Sequence, residues 1–171
     1  MKKGFGVFLL FWAVSLHGIT YQLVELPPAS GSSTVPTRAY GMNDALLSGN
    51  PDYVYVAGAS GTGSGQRAIR WTVSTSGVQE AKDLGLILPY TSAIAYDVND
   101  DGHVVGSMGN LQAFIWRFES IPQLQAIPAT SPARCLAAYA INNDDKVVGS
   151  YSKIVGAGGP AHPFWGFGWT P

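Results

Sequence analysis

The sequence predicts an all-β chain built from three four-stranded antiparallel repeat units in a propeller-like arrangement. Three observations predict it. The phrase Ala-Tyr-x-φ-Asn-Asx, with φ apolar, occurs as Ala39-Tyr40-Gly41-Met42-Asn43-Asp44, as Ala95-Tyr96-Asp97-Val98-Asn99-Asp100 and as Ala138-Tyr139-Ala140-Ile141-Asn142-Asn143. Each copy precedes a strand ending in small residues: Val56-Ala57-Gly58-Ala59-Ser60, Val104-Val105-Gly106-Ser107 and Val147-Val148-Gly149-Ser150. Finally, 21 glycines and 11 prolines punctuate the 171 residues, so helical spacing is interrupted throughout the chain past residue 20. A phrase recurring at this interval marks supersecondary units that cannot bury their apolar faces singly.

Each unit is read as four strands. An opener comes first, a short apolar run stopped by proline: residues 21–27, 81–89 and 124–128. The Ala-Tyr phrase is the second strand and the Val-Gly segment the third. An aromatic closer ends the unit: Arg67-Ala68-Ile69-Arg70-Trp71, then Gln112-Ala113-Phe114-Ile115-Trp116, then either His162-Pro163-Phe164-Trp165 or Gly166-Phe167-Gly168-Trp169. The last closer thus has two possible registers. The units span about residues 21–80, 81–120 and 121–171. Asn99 to Gly106 and Asn142 to Gly149 are both 7 positions apart, whereas Asn43 to Gly58 is 15, which places a turn-rich insertion in the first unit.

The chemistry of the phrase explains the hairpin. In Asn99-Asp100-Asp101-Gly102 the Asn and Asp side chains hold local backbone donors, and glycine takes the positive-φ position. Val104 and Val105 point to opposite faces, so both faces of that strand are expected to be buried. Phe114 and Trp116, two apart, share a face. Tyr40, Tyr96 and Tyr139 are expected to pack between units, each hydroxyl reaching a backbone carbonyl; stacking on a ligand is the sharper alternative.

The N-terminus reads as a secretion signal over residues 1–18. Lys2-Lys3 supply the positive start, an apolar run follows, and small residues allow cleavage after Ser15 or Gly18. The run is shorter than the roughly 20 residues of a spanning helix, so no stable membrane anchor is expected after cleavage. The expected location is secreted, periplasmic or at the extracellular surface. Cys135 is the single cysteine, which excludes an intramolecular disulfide and favours a buried thiol. Net charge is −1, and loss of Lys2 and Lys3 takes it to −3. Without a basic stripe, nucleic-acid binding has no electrostatic footing.

These phrases resemble the HAF-type (His-Ala-Phe) extracellular repeats, whose pattern runs Asp-Leu-Gly-x-Leu-Pro, Ala-Tyr-Gly-Ile-Asn-x-x-Gly-x-Val-Val-Gly, His-Ala-Phe-x-Trp. Asp83-Leu84-Gly85 matches the opener, all three Ala-Tyr phrases match the middle, and Gln112-Ala113-Phe114-Ile115-Trp116 is the best closer. The histidine is replaced in two units, and Pro163 follows His162 where alanine is expected. The resemblance covers almost everything after the signal. It implies a secreted bacterial repeat protein, propeller-like, with no established biochemical activity and so no catalytic residues to carry over.

Three units are fewer than the four to eight that ordinarily close a propeller. The third unit also has no opener after it. Residues 21–27 are expected to fill that vacancy, in the same molecule or in a neighbour; in a neighbour, two chains would form a six-bladed ring.

Chemical motifs are sparse. Asp97, Asn99 and Asp101, followed by Gly102, have the spacing of a calcium loop, but Met108 stands where the closing carboxylate belongs. The alternative is a plain turn, with no cofactor. The glycine-rich segments 58–65 and 156–160 lack the Lys-Ser/Thr end of a phosphate loop. No nucleophile elbow or His-Glu-x-x-His motif occurs. His103 and His162 are expected to be solvated, and Asp100-Asp101 and Asp144-Asp145 to form turns. The expected function is a non-catalytic extracellular module that binds a glycan or a protein, or acts as a scaffold, through loops 45–55, 59–66 and 151–162. A self-assembling structural subunit, a homo-oligomer joined through open strand edges, is the alternative, and a carbohydrate-active enzyme stands third.

Overall fold

The computed structural model describes residues 23–29, 35–44, 53–61, 65–109, 111–118, 123–128, 133–153 and 165–171. Among these the chain is all-β, with no α-helix and three antiparallel sheets of four, four and three strands. The first holds β1 (Thr37–Met42), β2 (Tyr53–Ser60), β3 (Arg67–Ser74) and β4 (Gly77–Asp83). The second holds β5 (Ala93–Val98), β6 (Val104–Met108), β7 (Gln112–Arg117) and β8 (Gln123–Ala126). The third holds β9 (Ala133–Ile141), β10 (Val147–Lys153) and β11 (Trp165–Trp169). Within each sheet, neighbours in sequence are neighbours in space.

The three sheets share one register. Gly58 lies between Ala39 and Ile69, Gly106 between Ala95 and Phe114, and Gly149 between Ala138 and Phe167. This resolves the last closer, which is Gly166-Phe167-Gly168-Trp169; residues 162–164 of the other candidate lie outside the described residues. The pairing also slips by one residue just after each of those alanines, at Tyr40, Tyr96 and Tyr139. Such a bulge re-aims the strand and lets Ala95 and Val98, three apart, face the same core.

Two expectations are corrected. The openers do not begin their own sheets. Residues 81–83 end β4, opposite Ile69 to Trp71, and residues 124–126 lie in β8, opposite Phe114 to Trp116. Each therefore completes the preceding sheet, because that sheet's closer offers the unpaired edge nearest in sequence. Second, of the two placements expected for residues 21–27, the one in the same molecule is not seen: residues 23–27 pair with no strand of the third sheet, and residues 21–22 lie outside the described residues. Leu26 and Ala29 pack behind the first sheet against Val56, Ile69 and Trp71. Trp71 Nε1 donates to the Pro27 carbonyl at 2.7 Å, and Thr37 Oγ1 to that of Leu26 at 2.8 Å. Among the described residues the third sheet accordingly has three strands, not four, and the sheets do not close on one another.

Strand alternation assigns one face of the second sheet to the first sheet and the other to the third. Val104, Phe114 and Trp116 join Tyr55, Ala57 and Ala68 of the first sheet, with Leu84 from the link. Val105, Ala113 and Ile115 turn to the third sheet and meet Cys135, Ala138, Ile141 and Val147, with Phe167 and Trp169 at the margin. Each fully buried side chain of this size stabilises by about 1.5–3 kcal/mol, so the two junctions dominate the core.

One cation lies in the first junction. Arg70 is 2% exposed, with its guanidinium carbon 4.6 Å from the Tyr55 ring centroid, 4.9 Å from that of Trp116 and 4.7 Å from that of Phe118. It donates to the Gly102 carbonyl and to the half-exposed Glu80 carboxylate, each at 3.3 Å. Burial, with the Tyr53 hydroxyl alongside, pushes the Tyr55 phenol up to about 12, so that ring stays neutral beside the cation.

Candidate functional site

The polar residues of the Ala-Tyr phrase gather along one side of the sheets. Each phrase asparagine closes its own hairpin. Asn43 Oδ1 accepts the N–H of Tyr55, Asn99 Oδ1 that of His103 and Asn142 Oδ1 that of Lys146. The interval is four residues in the second and third sheets and twelve in the first, so the tie is kept despite eight additional residues in the first. The backbone turns match as well: Gly102 N–H donates to the Asn99 carbonyl at 3.0 Å and Asp145 N–H to that of Asn142 at 3.1 Å. Asp145 thus stands where glycine is preferred, with φ of 58° against 75° for Gly102.

The amide nitrogens then reach the next sheet. Asn43 Nδ2 donates to Asp100 Oδ1 at 3.0 Å, and Asn99 Nδ2 to Asp145 Oδ1 at 2.9 Å and to the Asn142 carbonyl at 3.1 Å. Asn143 Nδ2 returns a bond to Asp100 Oδ2 at 2.7 Å. Asn43 and Asn99 are buried in this way, at 5% and 3% exposure, whereas Asn142 of the third sheet is exposed. The tyrosines of the same phrases form a row, with ring centroids 5.7 Å apart for Tyr40 and Tyr96 and 5.3 Å for Tyr96 and Tyr139. Their packing between sheets matches the expectation, but no carbonyl among the described residues is seen to accept from their hydroxyls. Ser107 Oγ and Ser150 Oγ approach the hydroxyls of Tyr96 and Tyr139 at 3.5 Å instead.

Asp97 and Asn99 line an open groove of about 240 Å³ together with Asn43, Asp100, Asn142 and Asn143. Asp101, the third residue of the calcium spacing, is exposed and is not among the lining residues. Asp97 Oδ2 accepts the Ile141 N–H at 3.0 Å, across the junction. Burial pushes the Asp97 carboxyl above its ordinary value, against the opposing pull of the Ile141 and Val98 N–H groups. The groove is smaller than the roughly 300–1,000 Å³ of small-molecule pockets. Among the described residues, no three His, Cys, Asp or Glu side chains are clustered to hold a metal ion.

His103 differs from its expectation. It is not solvated: Nδ1 lies 2.8 Å from Asp145 Oδ1, with both side chains largely covered. Arg117 Nε donates to the other oxygen of Asp145 at 3.2 Å. Burial alone would raise the Asp145 carboxyl, but the bonds from His103 and Arg117 outweigh it and hold the group below the ordinary carboxylate range. The arrangement is a clamp between second and third sheets. Its histidine and carboxylate have the contact of a catalytic pair, but Asp145 is shared among His103, Arg117 and Asn99.

Sequence reading missed Asp145, Arg117 and Arg70. Aligning Asp145 with Gly102 would have flagged the first, since a non-glycine residue at that turn position asks for a reason. Arg70 stands where the second sheet has Ile115, a charge at an apolar register. Cys135 is buried as expected; its Sγ lies 3.6 Å from the Pro128 carbonyl, and burial pushes the thiol up, away from nucleophilic use. Of the loops expected to vary, residues 53–55 and 59–60 belong to β2 and 151–153 to β10, while 45–52, 62–64 and 154–162 lie outside the described residues. Comparison with protein-family models, curated proteins and solved structures gave no match.

Proposed function

We propose that this chain is a secreted, non-catalytic β-repeat module that binds an extracellular glycan or protein, or acts as a scaffold, on a propeller-like frame. One observation carries the reading: the amides and carboxylates of the recurring phrase are spent on ties between sheets, as with Asn99 to Asp145 and Asp97 to Ile141. The phrase is then architecture, and recognition falls to the segments that differ between units. Replacing residues 45–52 and 154–162 by short turns is expected to leave the melting temperature nearly unchanged and to abolish partner capture on a glycan array and in pull-downs with the secreted chain. Retained capture would reject that surface. A parallel screen for glycan cleavage is expected to give none, and turnover would favour the enzyme reading.

A second reading, a self-assembling structural subunit, is favoured by β11, whose outer edge pairs with no strand among the described residues. Concentration-dependent rings or filaments in solution would separate it from the first.

A further inference from the structure

At each internal junction one stretch of chain does two jobs. In the first, β4 completes the first sheet; the Leu84 N–H then donates to the Ala68 carbonyl at 3.0 Å, and the Leu84 side chain enters the core shared with the second sheet. In the second, β8 completes the second sheet, the Ile127 N–H donates to the Ala113 carbonyl at 2.9 Å, and the Ile127 side chain enters the core shared with the third. Leu26 occupies the corresponding place behind the first sheet, packed near Ile69 and Trp71. The residues just before it lie in no sheet, and Leu23 is 99% exposed. The third sheet, conversely, holds an edge strand with no fourth partner among the described residues.

The exposed faces repeat the message. Val148 is 54% exposed, whereas Ala57 and Val105 at the same register are both at 0%. At the other end Met42 is 64% exposed, whereas Val98 and Ile141 at its register are at 3% and 9%. The third sheet thus exposes the face that the first and second sheets bury against their successors, while at the other end Met42 is open beside Val56, Ile69 and Trp71, which Leu26 and Ala29 help to cover.

We propose that two copies of this chain join end to end, residues 23–26 of each forming the fourth strand of the other's third sheet. This deepens the self-assembly reading by naming the donor strand and its register. The pairings Trp71 with Ala81 and Trp116 with Leu124 set Leu23 of one copy opposite Trp169 of the other. Ile69 with Asp83 and Phe114 with Ala126 set Glu25 opposite Phe167, and the Leu26 N–H meets the Gly166 carbonyl. Leu26 need not leave its own first sheet, because Leu84 and Ile127 follow a paired strand while packing on the next sheet. Three sheets from each copy then give six, within the range that closes a ring.

The test is light scattering on the chain purified with and without residues 1–18. A mass of two chains is expected. Leu23→Asp and Val148→Asp, both at exposed positions of the single chain, are each expected to reduce it to one chain with unchanged melting at low concentration. In a Cys135→Ala background, Leu23→Cys mixed with Trp169→Cys is expected to form a disulfide between chains. A mass of one chain at every concentration overturns the proposal. So does a larger assembly that both aspartate variants leave intact, which would keep self-assembly but discard this strand.

Discussion

Arg70 of the first sheet lies over Trp116 of the second, its guanidinium carbon 4.9 Å from the ring centroid. A long side chain here covers aromatic surface as much as it carries charge. Its carboxylate partner Glu80 is half exposed, so loss of the charge leaves no buried anion behind. Arg70→Met keeps most of this packing but leaves the buried Gly102 carbonyl without its donor, so it is expected to cost about 1–2 kcal/mol. Arg70→Ala, which opens a cavity among three rings, is expected to cost about 3 kcal/mol. Urea midpoints of the two variants check the contrast.

Asn99 and Asn142 have the same place in their hairpins but different surroundings. Asn99 is buried and bonds both its own turn and the next sheet, whereas Asn142 is exposed. Asn99→Ala is expected to cost about 2–3 kcal/mol, because buried partners are left unsatisfied. Asn142→Ala is expected to cost about 1 kcal/mol, since water replaces the lost bonds. Equal losses under chemical denaturation would refute the ranking.

Asp145 and Asp97 oppose one another in pH dependence. Asp145 is held below the ordinary value of 3.8, so the unfolded chain binds its proton first as the solution is acidified. Its stabilisation is full above that value and is lost as pH falls through the lower folded value. Asp97 is raised by burial, so the folded chain binds the proton first and stability declines as pH rises from 3.8 through the folded value. Asp145→Asn is expected to lower stability at neutral pH and flatten the acid limb. Asp97→Asn keeps a neutral acceptor for the Ile141 N–H and is expected to hold or raise stability at neutral pH. Melting curves recorded on both sides of the ordinary value of 3.8 read the two signs.

Gly106 allows a close approach that no other residue permits. A Cβ there would run into the Ile94 carbonyl oxygen and come within 2.7 Å of the Phe114 ring. Gly168 has nothing within 4 Å of the same point. Gly106→Ala is expected to cost upwards of about 3 kcal/mol, with strand separation near Ile94. Gly168→Ala is expected to be neutral or to stabilise by up to about 1 kcal/mol. Thermal melts that place the two variants together would contradict this close approach.

The residues of Asn99-Asp100-Asp101-Gly102 were sufficient to indicate a hairpin, because turn chemistry acts over four neighbours. Strand period was sufficient to send Val104 and Val105 to opposite cores and to put Phe114 beside Trp116. These are local rules, and they held in the described sheets. Which sheet receives residues 81–83 was a different kind of question. It depends on hydrogen bonds to Ile69, Arg70 and Trp71, and an apolar run ending in proline carries no mark of its partner. The candidate site divides in the same way. Asn99 could be read as a turn former, but its bond to Asp145, 46 residues away, exists only once the sheets stack. The sequence alone determined strands, turns and alternating faces, since these follow from backbone stereochemistry and period. Only the tertiary structure decided sheet membership, the buried place of Arg70 and the His103–Asp145–Arg117 clamp, since each is settled by competition among distant partners for the same edge or cavity.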